Sequence, residues 1–185
     1  MLQENELEFF VVELSLDGMP DFHDKFCVSP GSFGRAMQAY GALAELQNRD
    51  PRLRIHVIST ATDVNMDEIK PLTNYLFERC PRIDHHNLAI IRGDRKNPSL
   101  QGPDLQRHAE LYQYIRWLWA SREEGRYGSV VGPMLEWAKI HTVTKQTQVI
   151  PCRAGRISSV VYTNGDVAFV RYISQRGETQ QDAYL

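Results

Sequence analysis

Three short apolar runs lie in the first half of the chain, at 8–14 (EFFVVEL), 53–60 (LRIHVIST) and 85–91 (HHNLAII). Their length and their β-branched and aromatic residues predict strands that are buried in a parallel sheet. Between them, 29–49 and 65–80 repeat apolar residues three and four positions apart, which predicts two amphipathic helices. The order strand, helix, strand, helix, strand therefore predicts an α/β fold with helical crossovers.

The second half of the chain predicts two more helices and a hairpin. Helical periodicity covers 104–122 and about 129–146. Two β-rich runs follow at 157–162 and 167–172, separated by Asn164-Gly165. Asn-Gly is typical of a tight type I′ turn, because both central positions of that turn need positive φ. We therefore predict a C-terminal β-hairpin.

Composition and charge restrict the class of protein. The chain has 185 residues, of which 42 % are hydrophobic and 24 % charged, an ordinary mixture for a globular domain. Its net charge of −2 gives no electrostatic reason to expect a nucleic-acid partner. No apolar run has membrane-spanning length and the acidic N-terminus lacks a secretory signal pattern, so we expect no membrane partner and a cytoplasmic location. The three widely spaced cysteines predict neither a disulfide framework nor a C-x-x-C metal site.

Short polar side chains follow the first two predicted strands. Ser15 and Asp17 come after the first strand, and Ser59, Thr62 and Asn65 come after the second. The carboxyl ends of parallel strands meet at one edge of a sheet, which is where α/β proteins bind ligands. The Asp-Gly pair after the first strand is equally typical of an ordinary turn. The pattern by itself therefore leaves ligand binding and loop structure as alternatives.

Asn65 and four further positions have a structural interpretation, which for Cys152 is one of two alternatives. Ser32 and Asn65 are the predicted N-caps of the first two helices. His85 and His86 are neighbours in a strand, so their side chains point to opposite faces and cannot easily bind one ion. Cys152 stands alone before the hairpin, where it is either a small buried residue or a ligand.

Five segments follow one another in an order and spacing that match a known family. The first segment, ELSLDGMPDFHDKF, contains the end of a strand with the motif S-x-D-G, followed by H-D. The second, SPGSFGRAM, contains the G-x-F motif at the start of a helix. HVISTATDVNMDEI forms the next strand and its exit loop, and DHHNLAIIRGD forms the strand after it. PCRAGRISSVVYTNGDV has a cysteine followed by a hairpin. Together, over residues 8–170, they resemble the radical S-adenosylmethionine (radical SAM) enzymes that carry a C-terminal SPASM or twitch extension.

The resemblance implies a partial (β/α) barrel of TIM-like type, whose strand ends face one site. It implies a [4Fe–4S] cluster that binds S-adenosylmethionine and cleaves it reductively to a 5′-deoxyadenosyl radical. That radical abstracts a substrate hydrogen, often from a peptide or protein. The resemblance also makes Cys152 the first metal ligand of an auxiliary cluster. The cofactor-binding residues that it implies are Ser15, Asp17, Ser59, Thr62 and Asn65. The alternative role of Asp17 is to order the loop.

Two departures change what the resemblance implies. The chain has no C-x-x-x-C-x-x-C motif for the catalytic cluster, and Val170 stands where the extension has its second cysteine. The chain therefore resembles the C-terminal half of the barrel (1–125) with a connecting helix and a truncated hairpin (126–185). We expect it to bind no cluster and to be inactive alone. We also expect it to pair with a missing N-terminal barrel half, or with itself, through the open edge of strand 8–14.

Two alternatives remain open beside an N-terminally truncated radical SAM protein. One is a noncatalytic scaffold or partner subunit that completes another chain's barrel. The other is an unrelated α/β protein that binds a different small molecule through the same strand-end groups. None of the three hypotheses predicts the substrate.

Overall fold

A computed structural model describes residues 7–91, 97–122, 131–147, 149–150, 159–161 and 164–169. The chain divides into two units, Met1–Val130 and Val131–Leu185. The first unit holds a parallel sheet, and the second holds a helix and an antiparallel hairpin.

The first unit alternates strands and helices, as the apolar pattern predicts. Its three strands are parallel and pair in sequence order, which confirms the α/β fold. The structure adds one element that the pattern does not predict, a short helix directly after the first strand. The elements are β1 (Phe10–Ser15), α1 (Pro20–Phe26), α2 (Ser32–Arg49), β2 (Leu53–Ala61), α3 (Met66–Arg79), β3 (His85–Ile90) and α4 (Leu105–Ala120).

One face of the sheet is covered by α2, α3 and α4. Because the strands pair in sequence order and parallel crossovers share one hand, both crossover helices lie on the same face. Every second side chain of β2 is buried, and Ile55 and Val57 are fully buried. They pack in one core with the apolar sides of the helices, including Leu72 of α3 and Trp119 of α4.

The other face of the sheet carries polar side chains. Glu13, His56 and His85 occupy paired positions on β1, β2 and β3, so they form a row across the sheet. Glu13 Oε1 lies 4.0 Å from His56 Nδ1 and accepts a hydrogen bond from Asn87 Nδ2 at 2.5 Å. Burial lowers the pKa of His56, and it lowers the pKa of His85 to about 4. Both rings are therefore mainly neutral at pH 7.

The start of α2 differs from the prediction, whereas that of α3 lies at the predicted residue. Ser32 is the first residue of α2 and not its N-cap, a position that Gly31 occupies with φ +75°. The Asp24 carboxylate caps the helix, accepting the Phe33 N–H at 2.9 Å and the Gly31 N–H at 2.5 Å. These hydrogen bonds, that from Phe33 first, lower the pKa of Asp24. Asn65 is the N-cap residue of α3, as predicted, and its backbone oxygen accepts the Glu68 N–H at 3.0 Å. Its side chain makes no cap hydrogen bond, because it binds the strand ends.

The second unit contains α5 (Val131–Lys145) and a hairpin of β4 (Ser159–Val161) and β5 (Val167–Phe169). The predicted hairpin is therefore present, with shorter strands than the sequence pattern indicates. None of the helices in the described segments combines the length and the apolar character that a membrane crossing requires.

The hairpin turn is not the predicted type I′ turn. Gly165 has φ +88°, but Val161 pairs with Val167, so the paired residues are too far apart in sequence for a two-residue type I′ turn at Asn164-Gly165. The Asn164 side chain instead accepts the Asp166 N–H at 3.1 Å. An Asx turn of this kind stabilises the connection.

Candidate functional site

The carboxyl ends of β1 and β2 lie side by side at one edge of the sheet. The Leu16 N–H donates to Ile58 O at 3.0 Å, so the two chains leave the sheet together. Just beyond, the buried Asp17 carboxylate accepts the Thr60 N–H through Oδ1 at 2.7 Å. Burial raises the pKa of Asp17, while this hydrogen bond and the nearby His23 oppose the increase. The S-L-D-G segment therefore ties the exit of β1 to the exit of β2.

Asn65 is fully buried and joins the same two exits. Its Nδ2 donates to the backbone oxygens of Asp17 at 3.1 Å and Thr60 at 2.9 Å. Its Oδ1 accepts from Thr62 N at 2.8 Å and from Thr62 Oγ1 at 3.0 Å. Three of the predicted site residues thus form one hydrogen-bonded network, and the polar atoms of Asn65 bind the protein itself.

Ser59 lies inside the core. Its hydroxyl donates to Leu16 O and lies 2.8 Å from His86 Nε2. Nδ1 of His86 lies 3.2 Å from Thr73 Oγ1, which donates to Ile69 O. Complete burial lowers the pKa of His86 to about 3, so the ring is neutral at pH 7. A neutral ring donates through one nitrogen, so it can donate to one of the two hydroxyls while that hydroxyl keeps its hydrogen bond to the backbone carbonyl.

Ser15 stands apart from this network. It is exposed and shares the polar face of the sheet with Glu13. The other four predicted site residues, Asp17, Ser59, Thr62 and Asn65, are buried. The structure therefore uses four of the five as the frame of the strand edge and leaves Ser15 accessible to a ligand.

Gly18 allows α1 and α3 to approach the loop closely. A Cβ atom at this position would lie 2.6 Å from Phe22 Cδ1 and 3.1 Å from Glu68 Cβ. Glu68 Oε2 also accepts the Met19 N–H at 3.1 Å. A larger residue in place of Gly18 would displace the Phe22 ring of α1 and crowd Glu68 of α3.

A second group of side chains, which the sequence patterns do not reveal, surrounds the same loop. Cys27 Sγ lies 3.7 Å from His23 Nδ1 and 4.0 Å from Asp17 Oδ2, and all three donor atoms lie within 4.8 Å of one another. We call Asp17, His23 and Cys27 the β1 loop cluster. Its sequence signal is H-x-x-x-C, which places both side chains on one side of a helix once α1 is recognised. Burial, and then the charges of Asp17 and Asp24, raise the pKa of Cys27.

The cysteines do not fit the [4Fe–4S] cluster of the resemblance. Cys27 lies beside Asp17 at the carboxyl edge of the sheet, whereas Cys80 follows α3 at the opposite edge, where β3 begins. Burial raises the pKa of Cys80 to about 11, which makes it an unreactive thiol. Cys152 and Val170 lie outside the described residues. Because Cys27 and Cys80 lie at opposite edges of the sheet and the sequence has one further cysteine, these cysteines cannot supply three thiolates to one cluster.

The carboxyl edge of the sheet thus combines a buried hydrogen-bonded frame with the β1 loop cluster beside it. The frame uses its polar atoms internally, whereas the cluster places a thiol, an imidazole and a carboxylate next to one another. Comparison of the chain with protein-family models, with curated proteins and with solved structures found no match.

Proposed function

We propose that this chain forms the part of a radical SAM type (β/α) barrel that carries no catalytic cluster, and that it works with a cluster-bearing part. The arrangement of β1, β2 and β3 supports the proposal most strongly, because they pair in sequence order with the crossover helices on one face. A (β/α) barrel is built in this way. One half of a doubly wound sheet has the same local arrangement, and that fold differs from a barrel where its strand order reverses and helices cover its other face.

The contacts of the motif residues agree with this assignment. In S-L-D-G, Asp17 binds the Thr60 N–H and Gly18 admits the neighbouring helices. In H-D, Asp24 caps α2 at the G-S-F segment. Each of these contacts lies at the carboxyl edge of the sheet, where β1 and β2 end and α2 begins. The motifs of the resemblance therefore have a shared structural purpose, which is to shape this edge.

The polar face of the sheet supports the same proposal. In a barrel, the face opposite the helices is the interior. Here that face carries the Glu13 carboxylate with the Asn87 amide and two mainly neutral imidazoles, those of His56 and His85. Hydrogen-bonding groups of this kind suit a polar substrate, and exposed Ser15 lies on the same face at the carboxyl edge.

The outer edge of β1 offers a place for the cluster-bearing part. The Phe10 N–H donates to the backbone oxygen of Arg52, just before β2. The Leu16 N–H donates to that of Ile58, within β2. In a strand the N–H groups alternate in direction, so those of Val11, Glu13 and Ser15 point away from β2. No strand within the described ranges pairs with β1 on that side. An additional strand can therefore pair there.

Anaerobic reconstitution with iron and sulfide tests whether the chain lacks cluster chemistry. We expect no stoichiometric cluster by iron and sulfide counts or by paramagnetic resonance, because Cys27 and Cys80 lie at opposite edges of the sheet. We also expect no 5′-deoxyadenosine from added S-adenosylmethionine. A stoichiometric cluster that produces 5′-deoxyadenosine would overturn the proposal.

Co-expression with the N-terminal half of a radical SAM barrel tests the pairing. We expect the wild-type chain to co-purify with that half. Val11→Pro removes a donor from the outer edge of β1 and leaves the hydrogen bonds to β2 in place, so it should abolish co-purification with little change in the melting temperature. Val12→Pro is the matched control, because it breaks the pairing with β2 and should lower the melting temperature. Failure of the wild-type chain to co-purify, or normal co-purification of Val11→Pro, contradicts pairing through β1.

A further inference from the structure

The donor atoms of the β1 loop cluster lie close to the separations found in a metal site. Zinc bonds to sulfur, nitrogen and oxygen at tetrahedral angles place two donor atoms about 3.3–3.6 Å apart. Cys27 Sγ lies 3.7 Å from His23 Nδ1 and 4.0 Å from Asp17 Oδ2. Side-chain movements of a few tenths of an ångström bring these two pairs to the tetrahedral separations.

Each of the three donors presents a suitable atom. Asp17 binds Thr60 through Oδ1, and its Oδ2 faces the sulfur of Cys27. The Asp17 N–H donates to His23 Nδ1 at 3.1 Å, which assigns Nδ1 as the unprotonated nitrogen, the form that binds a metal. Metal binding replaces this hydrogen bond, and Cys27 releases its thiol proton to solvent.

The donor set and its burial indicate which ion it suits. A thiolate, an imidazole and a carboxylate together suit Zn²⁺ or Co²⁺ better than Mg²⁺ or Ca²⁺, which prefer oxygen ligands alone. Asp17 and His23 are buried, which holds them in place, whereas Cys27 is exposed. The exposed side leaves room for a water molecule as fourth ligand.

We propose that the β1 loop cluster is a Zn²⁺ site with three protein ligands and one position open to solvent. The ion links the exit of β1 to α1 and thereby stabilises the loop that contains Gly18. The site uses side chains of this chain alone, so it does not depend on the proposed function.

Co²⁺ serves as the probe, because a thiolate ligand gives it a near-ultraviolet charge-transfer band. The parent protein for the test carries Cys80→Ala and Cys152→Ser, which leaves Cys27 as the remaining thiol. We expect one equivalent of Co²⁺ to produce the band and Zn²⁺ to displace it. Absence of the band at one equivalent in a parent that folds overturns the proposal and leaves the cluster as a hydrogen-bonded thiol.

Substitutions in this parent identify the ligands. Cys27→Ser should remove the band, and His23→Gln and Asp17→Asn should each weaken Zn²⁺ binding at least on the order of tenfold by calorimetry. Asp17→Asn keeps an oxygen for the Thr60 N–H, so it tests the ligand separately from the fold. His56→Gln, on the polar face of the sheet, is the matched control and should bind Zn²⁺ as the parent does. A band that survives Cys27→Ser contradicts the assignment.

Discussion

The buried His86 should make the stability of the first unit depend strongly on pH. Burial lowers the pKa of this ring from 6.5 to about 3 in the folded protein. The unfolded chain therefore binds one more proton than the folded chain between these two values. The stabilisation from the neutral ring is complete above pH 6.5 and decreases as the pH falls toward 3. Mild acid should thus lower the free energy of unfolding.

The size of the effect follows from the two pKa values. One proton of difference changes the free energy of unfolding by about 1.4 kcal/mol per pH unit. At pH 5 the unfolded His86 is almost fully protonated and the folded ring is not, so the loss relative to neutral pH is about 2 kcal/mol. This value depends little on the folded pKa, provided that it stays well below 5. Burial lowers the pKa of His85 to about 4, so His85 adds a second, similar loss.

Urea denaturation at several pH values between 7 and 5 measures the effect. In His86→Gln the free energy of unfolding should fall by about 2 kcal/mol less over this interval than in the wild type. Thr73→Val is the matched control, because it removes the hydroxyl that faces His86 Nδ1 but leaves the titrating ring in place. It should lower stability at every pH and keep the wild-type slope. An equal slope in wild type and His86→Gln would refute the reasoning.

Two further substitutions test the strand-edge frame and the core. Asn65→Asp should lower the free energy of unfolding by about 3 kcal/mol or more, because it loses two donated hydrogen bonds and turns a carboxylate toward two carbonyl oxygens. If urea denaturation shows the variant to be as stable as the wild type, these hydrogen bonds do not stabilise the strand edge. Leu72→Ala, at a fully buried position of α3, should cost about 2–5 kcal/mol, whereas Leu46→Ala, at a position of α2 that is 51 % exposed, should stay within about 0.5 kcal/mol in the same assay.

The order of the elements could be predicted from the sequence because it depends on local periodicity. Apolar runs and helical spacing predict β1, α2, β2, α3 and β3 within a few residues of their observed limits. The helix α1 has seven residues and begins at Pro20, so it is too short to show a periodic pattern. The capping residue of α2 could not be predicted from the residues next to the helix start, because the carboxylate that caps it belongs to Asp24, eight residues before Ser32.

The sequence by itself determined that Ser15, Asp17, Ser59, Thr62 and Asn65 follow neighbouring strands, because the carboxyl ends of parallel strands share one edge. Tertiary structure decided which of their atoms remain available. Alternation along the strands directs Ser59 into the core and Ser15 to the polar face, and packing directs Asn65 onto two carbonyl oxygens. The β1 loop cluster likewise required the tertiary structure. Its members come from a strand exit and a helix, and three-dimensional packing brings their donor atoms together.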